Sequence, residues 1–324
     1  MKRNLFMLIS LLFTLITLRT NAQQYTFKRF ESNPILKKEL LKESDGTNIN
    51  GPSLIKTPDW LPNKLGKYYL YFAHHQGKYI RLAYTDDLKK NWKIFDKGTL
   101  QLTDCAVCHG HVASPDVFVD DTNKQIVLYF HSPLVENQQS KGQYSYRAAS
   151  DDGINFKVDT TALGISYFRV FDWNGTHYAI ARTGQLYRSK DGGLTFESGP
   201  NPFDKIQRKT NYLRHAAVKV SGDKLFVFYS NIGDKPERIL LSTLDLNDDW
   251  RTWHPSKPIT IVQPEKDYEG VNLPQLPSEI GAKFGEVHQL RDPAFFEEDG
   301  KWYLLYSTAG ESGIAIGELK TQYQ

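Results

Sequence analysis

After residue 7 the chain has no methionine, and it has only two cysteines, Cys105 and Cys108. It has one long apolar run, "LFMLISLLFTLITL" near the N-terminus, and no block of charge of one sign. Each scarcity excludes something. With Met1 and Met7 both inside the apolar N-terminal segment, a mature chain cannot ligate haem through a His/Met pair. Lys2 and Arg3 precede the run and small Ala22 follows it, the pattern of a secretory signal over residues 1–22. The run is too short for an ordinary spanning helix, so the remainder, 23–324, is expected to be one domain without a membrane span, secreted or periplasmic. The chain has 40 basic and 37 acidic residues; setting aside Lys2, Arg3 and Arg19 leaves 37 of each sign. That balance removes the electrostatic case for nucleic acid.

Long amphipathic helical periods are also absent. What is present instead is aromatic and β-branched: Phe, Tyr and Trp make up 13% of the chain, in short runs separated by turn residues. This composition predicts an all-β fold. The runs recur five times in one order: a short apolar strand, an aromatic-rich strand, then a third strand ending near an Asp-rich turn. "NGPSLI" with "KYYLYFAHH" opens the first unit, "SPDVFV" with "QIVLYFHSP" the second, and "YFRVFDW" with "THYAIAR" the third. "RHAAVKV" with "KLFVFYSN" and "RDPAFFEE" with "KWYLLYSTA" complete the set. Asn174-Gly175 and Asp299-Gly300 are two-residue hairpin signals. A period of roughly 60 residues with three or four strands per unit predicts a five-bladed β-propeller. The last unit lacks a fourth strand, which the N-terminal "YTFKRF" would supply. "SKDGGLTF" resembles the Asp-box turn, and "SDDGINF" is a weaker copy; both read as structural turns on outer hairpins.

In a propeller the starts of the innermost strands surround a central channel. Here they bring Asn50, Asp116, Arg169, Arg214, His215, Arg291 and Asp292 to one end. Buried charge is costly unless paired, so this concentration marks a candidate site. Three guanidiniums point to an acidic or sulfated sugar as substrate, because the Arg fork suits carboxylate and sulfate.

The order of motifs resembles the five-bladed propeller glycoside hydrolases, the group around families 43, 32, 62 and 117. "SPDVFVDDTNKQIVLYFHSP" is similar to the second-blade segment of family 43, and "LRDPAFFEEDGKWYLLYS" to the Asp-Pro strand and hairpin of the group. The resemblance implies hydrolysis of oligosaccharides by carboxylate acid/base chemistry, with no cofactor and no metal. It places on Asp116 the role of orienting the acid and puts Asp292 at the channel mouth. The sequence departs from family 43 at the base position, which reads Asn50-Gly51-Pro52, and at the acid position, where "SYFRVF" has no carboxylate. Asp116 and Asp292 are the first catalytic candidates, Glu286 on the insertion before blade five is a further candidate for the acid, and Glu269 and Asp45 stand in reserve. Since family 117 offers a precedent for a His acid, His74, His75, His109, His111 and His215 join the ligand-contacting set. Two rivals follow: a carbohydrate-binding propeller without catalysis, and a sialidase-like enzyme using Tyr167.

"CAVCHGH" at 105–111 has the spacing of a c-type haem site, but it lies in a short connection without helices. A Cys105–Cys108 disulfide, which an oxidising compartment favours, or a zinc site completed by His109 and His111, are the other readings. In each, the loop overhangs the pocket that Asp116 enters.

Overall fold

The computed structural model describes residues 25–204 and 211–321; the leader expected over residues 1–22 lies outside them. Within them the regular structure is strand and short 3-10 turns, in five antiparallel sheets. Each sheet is one blade. The inner strands are Asn50–Lys56, Ala113–Asp120, Arg169–Trp173, Tyr212–Ser221 and Arg291–Glu298. Each pairs with the aromatic-rich strand that follows it: Tyr68–Ala73, Gln125–Glu136, Thr176–Ile180, Lys224–Ile232 and Lys301–Thr308. The predicted five-bladed propeller is therefore the observed fold. Blade five takes its outermost strand from the N-terminus, with Tyr25 opposite Thr321 and Arg29 opposite Gly317.

Why these residues make blades is visible in their burial. Strands such as Tyr68–Ala73 are buried at every position, because both faces of a blade pack on neighbouring blades. Among the described residues five hydrophobic clusters each join two successive blades. Tyr69 and Tyr71 meet Leu128 between blades one and two, and Leu70 and Phe72 meet Phe296 between blades one and five. Val127 meets Val170, Phe171 meets Leu225, and Phe228 meets Leu304 across the other three seams. The turns behave as their residues dictate. Asn174 and Gly175 have φ of 48° and 71°, and Asp299 and Gly300 have 51° and 73°, the left-handed pair of a type I′ hairpin. In the Asp-box turn, Asp191 Oδ1 accepts from the backbone of Leu194 (3.2 Å) and Thr195 (2.9 Å) and from Ser189 Oγ (2.8 Å). Asp152 and Ser150 repeat the pattern in blade two, so both boxes are structural.

The inner strands share a further feature that positions the site. In blades one, two, four and five the register slips by a bulge at the start of the strand, between Asn50 and Ser53, Ala113 and Asp116, Leu213 and Ala216, and Arg291 and Ala294. The second residue of the bulge has positive φ at Gly51 (56°), Ser114 (51°) and Asp292 (48°), and Tyr167 (70°) stands at the matching place in blade three. A bulge re-aims the side chain it disrupts.

Candidate active site

The pocket end of the axis is built from the bulges and from the residues that end the second strands. Asp292, almost fully buried, accepts from Ser307 Oγ (3.1 Å) through Oδ2 and contacts His215 Nδ1 through Oδ1. With Nδ1 committed to Asp292, the imidazole presents Nε2, which is buried and has no partner. Burial, aided by the nearby charges of Arg169 and Arg214, pushes His215 well below the usual histidine range. The neutral ring therefore offers a lone pair at Nε2, held in one tautomer by a carboxylate. The rings of Tyr167 and His215 meet edge to face at 3.9 Å between centroids, Tyr167 meets His131 at 4.5 Å, and His131 meets His111 at 5.7 Å. His131 is also buried with Nδ1 unpartnered, and burial holds it well below the usual range. This ladder of rings runs from the Cys105–His111 loop across blades two, three and four to Asp292 of blade five.

Asp116 stands at the bulge of blade two. Its Oδ2 accepts from the backbone of Val170 in the next blade (2.9 Å), and Oδ1 lies 3.9 Å from Arg169 Nε. Burial pushes its carboxyl up to about 6, against the opposing pull of Arg169 and the Val170 N–H. It is a carboxyl that keeps its proton into the mildly acidic range.

Two carboxylates that the sequence reading missed complete the centre. Glu237, fully buried, accepts from Arg214 Nε (2.8 Å) and Nη2 (3.1 Å) and lies 3.2 Å from Arg291 Nε. Glu311 accepts from Arg291 Nη1 (2.9 Å), Asn48 Nδ2 (2.5 Å) and Asn50 Nδ2 (3.1 Å), with His75 Nδ1 at 3.6 Å. Burial raises the Glu311 carboxyl, but His75, Arg291 and Asn48 outweigh it and hold the group at about 2. Arg214 and Arg291 also bind the insertion before blade five, donating to Glu279 O and Gly281 O. Arg214 and Arg291 are buried against Glu237 and Glu311, which neutralise their charge inside the protein, and Arg169 is buried with its guanidinium donating to Phe168 O (2.9 Å). The expectation that these three guanidiniums receive an anionic sugar is corrected accordingly.

The remaining expected residues divide. His75 and His111 are half-buried at the centre, and Asn50 is buried there as a donor to Glu311. His74 is half-buried, its ring 6.1 Å from Phe284 of the insertion. His109 is exposed, held by its backbone to Ser132 rather than by its ring. Glu286 is exposed, with no hydrogen bond or ion pair among the described residues. Glu269 accepts from Arg29 Nε (2.8 Å) and Tyr306 Oη (2.6 Å), and so ties the insertion to the ring-closing strand. Asp45 contacts Tyr79 Oη. Cys105 and Cys108 form a disulfide, which settles the loop against the haem and zinc readings of those thiols. No cluster of metal-ligating side chains and no helix long and apolar enough to cross a membrane occurs among the described residues.

Comparison with known proteins adds three findings. No protein-family model matches the chain. The "Uncharacterized protein R118" of Acanthamoeba polyphaga mimivirus is 37% identical over 341 residues, spanning 96% of this chain and 95% of the viral one. Among solved structures, CoXyl43, a GH43 β-xylosidase/α-arabinofuranosidase from a compost microbial metagenome, superposes with a TM-score of 0.57 at 14% identity, over 92% of this chain and 94% of that one. A GH43_1 enzyme from Xanthomonas citri gives 0.55 at 12%, over 85% and 88%. The α-L-arabinofuranosidase of Lactobacillus brevis gives 0.56 at 13%, over 88% and 92%. At these identities the likeness is one of fold.

Proposed function

The chain belongs to the same family as the mimivirus protein R118, and from the chemistry of its axial pocket we propose that it is a glycoside hydrolase acting on oligosaccharides. The observation on which this rests is the His215 imidazole, fixed through Nδ1 by Asp292 and presenting an unpartnered, neutral Nε2 beside Tyr167. Such a ring takes a proton from a water aimed at the anomeric carbon, and Asp292 stabilises the imidazolium that forms. Asp116, which retains its proton up to about pH 6, is the acid that protonates the departing oxygen. Tyr167, kept neutral because burial raises its phenol, orients the sugar between the two. The division of labour thus differs from a free pair of carboxylates. The fold shared with GH43 enzymes that act on xylosides and arabinosides supports the substrate class. Export to the periplasm or medium belongs to the same reading. It is supported by the leader-like N-terminus and by a disulfide suited to an oxidising compartment.

The test is product release from plant and algal oligosaccharides by the wild type and by His215→Gln, Asp292→Asn and Asp116→Asn. His215→Gln should lose at least about a hundredfold in turnover while still binding the sugar. A second reading, a carbohydrate-binding propeller without turnover, is favoured by one observation: protein donors already engage the carboxylates of Asp116, Asp292 and Glu311. Binding without release across the panel would decide for it.

A further inference from the structure

Five positions are equivalent in the propeller: the second-strand residue that faces each inner-strand bulge. In blades one, two, four and five the register gives Ala73 opposite Asn50, His131 opposite Ala113, Asn231 opposite Leu213 and Ser307 opposite Arg291. In blade three, Arg169 pairs with Ile180, as Ser53 pairs with Tyr71 and Asp116 with Tyr129. Two residues on from Ile180 is Arg182, whose N–H donates to Ser166 O (2.9 Å), next to Tyr167. Arg182 therefore occupies the place held by His131 in blade two, which packs on Tyr167, and by Ser307 in blade five, which bonds Asp292. Its turn, Arg182–Gly184, packs against the strand bearing Arg214 and His215.

The four guanidiniums of this centre are not alike. Arg169, Arg214 and Arg291 are buried beside carboxylates. Arg182 is half-buried, and among the described residues no carboxylate lies within ion-pair distance of it and no acceptor takes its side-chain N–H groups. Its charge is felt by both Tyr167 and His131. His131, whose Nδ1 is buried without a partner, is one of the two residues that feel it. A planar fork of donors left without a carboxylate partner beside Tyr167 and His131 matches a carboxylate or a sulfate group.

We propose that Arg182 is the recognition residue for an anionic substituent, a uronate carboxylate or a sulfate ester, on the sugar that enters the axial pocket. This rests on the glycosidase reading for the identity of the ligand as a sugar, but its test requires no turnover. Arg182 binds the charged group while Tyr167 and His215 face the ring, so the acidic sugar lies against the proton-transfer pair.

The experiment is calorimetric titration of the full chain with D-glucuronate, D-galacturonate and inorganic sulfate, with D-glucose and D-galactose as neutral controls. Wild type should bind at least one anion more tightly than the neutral sugars, and Arg182→Met should weaken that anion at least about tenfold while leaving the neutral sugars unchanged. Arg182→Lys, which keeps the charge without the fork, should recover part of the loss and serves if the Met variant fails to fold. Preference for the uronates identifies a carboxylate; preference for sulfate identifies a sulfate ester. Equal binding of acidic and neutral sugars by the wild type, or anion affinity unchanged in Arg182→Met and Arg182→Lys, overturns the proposal. A chain that binds uronate through Arg182 yet releases no product overturns only the hydrolase reading. One that hydrolyses uronate-containing oligosaccharides equally with and without Arg182 overturns only this one.

Discussion

Replacing Asp116 by Asn should make the protein more stable at neutral pH, by an amount that depends on pH in a defined way. The folded protein holds the Asp116 carboxyl at about 6 because the site is buried, whereas in the unfolded chain it titrates near 3.8. Folded protein therefore binds the proton more tightly than unfolded chain does. The stability this group contributes is fully present below about pH 3.8 and is lost as the pH rises through about 6. The size of the loss is about 3 kcal/mol. Asn is close in shape to the protonated acid and can still accept from Val170 N–H, but it cannot ionise. His131 and His215, both held well below the usual range, act in the opposite sense: their contribution is present above about pH 6.5 and is lost as the pH falls. Both proteins contain them, so the difference between the two stability curves isolates Asp116. The assay is urea unfolding of wild type and Asp116→Asn at half-unit steps between pH 4 and pH 8. The stability difference should grow in favour of the variant up to about pH 7 and then level off. Parallel curves, or a difference that grows toward acid, would refute the assignment of a buried, proton-retaining carboxyl to this position. The same substitution should depress turnover, so stability and activity would move in opposite directions at one residue.

Glu237→Gln leaves the buried guanidiniums of Arg214 and Arg291 without their shared carboxylate and should cost about 3–5 kcal/mol in urea unfolding; a cost below about 1 kcal/mol would contradict the pairing. Glu311 is held at about 2, so the stability it supplies is lost as the pH falls from about 4.5 through about 2; Glu311→Gln should flatten that acid limb in urea unfolding extended down to about pH 2. The Cys105–Cys108 disulfide closes a loop of three residue steps, so a Cys105→Ser, Cys108→Ser double variant should lose only about 2 kcal/mol and a few degrees of Tm. A gain in stability when zinc is added to the reduced wild type, absent from that variant, would count against a role for these sulfurs as a simple crosslink.

Much of the fold was legible because a propeller repeats. Five copies of the strand order, with Asn174-Gly175 and Asp299-Gly300 in the hairpins, specify blades before any long-range contact is known. The inner-strand starts were legible for the same reason, and Asp116, His215 and Asp292 do stand at the axis. The pairings were not. That Arg214 and Arg291 share Glu237 depends on the connection that brings 237 inward, and nothing local in "DKPERIL" marks it. Glu311 sits at a hairpin tip, where a carboxylate is ordinarily solvated, and only the curve of the blade turns it under Asn48. Glu286 was misjudged in reverse: its nearness in sequence to Asp292 did not bring it inside. His131 and Arg182 had a readable signal, since in "QIVLYFHSP" and "THYAIAR" they hold the place of Ala73 in "YFAHH" of blade one. Aligning those ends, as well as the inner-strand starts, would have found them.

The pairing of Tyr25–Arg29 with the last strand has a consequence for how the protein is made. Four blades are built from contiguous sequence and can pair their strands as they leave the ribosome. The fifth cannot be finished until the final residues of Gly313–Thr321 are synthesised, almost 300 positions after the strand that covers them. Until then, the nascent chain presents the edge of an unfinished sheet, an open template for another chain. Deleting residues 25–29 would recreate that state permanently, in a protein whose pocket residues are all still present.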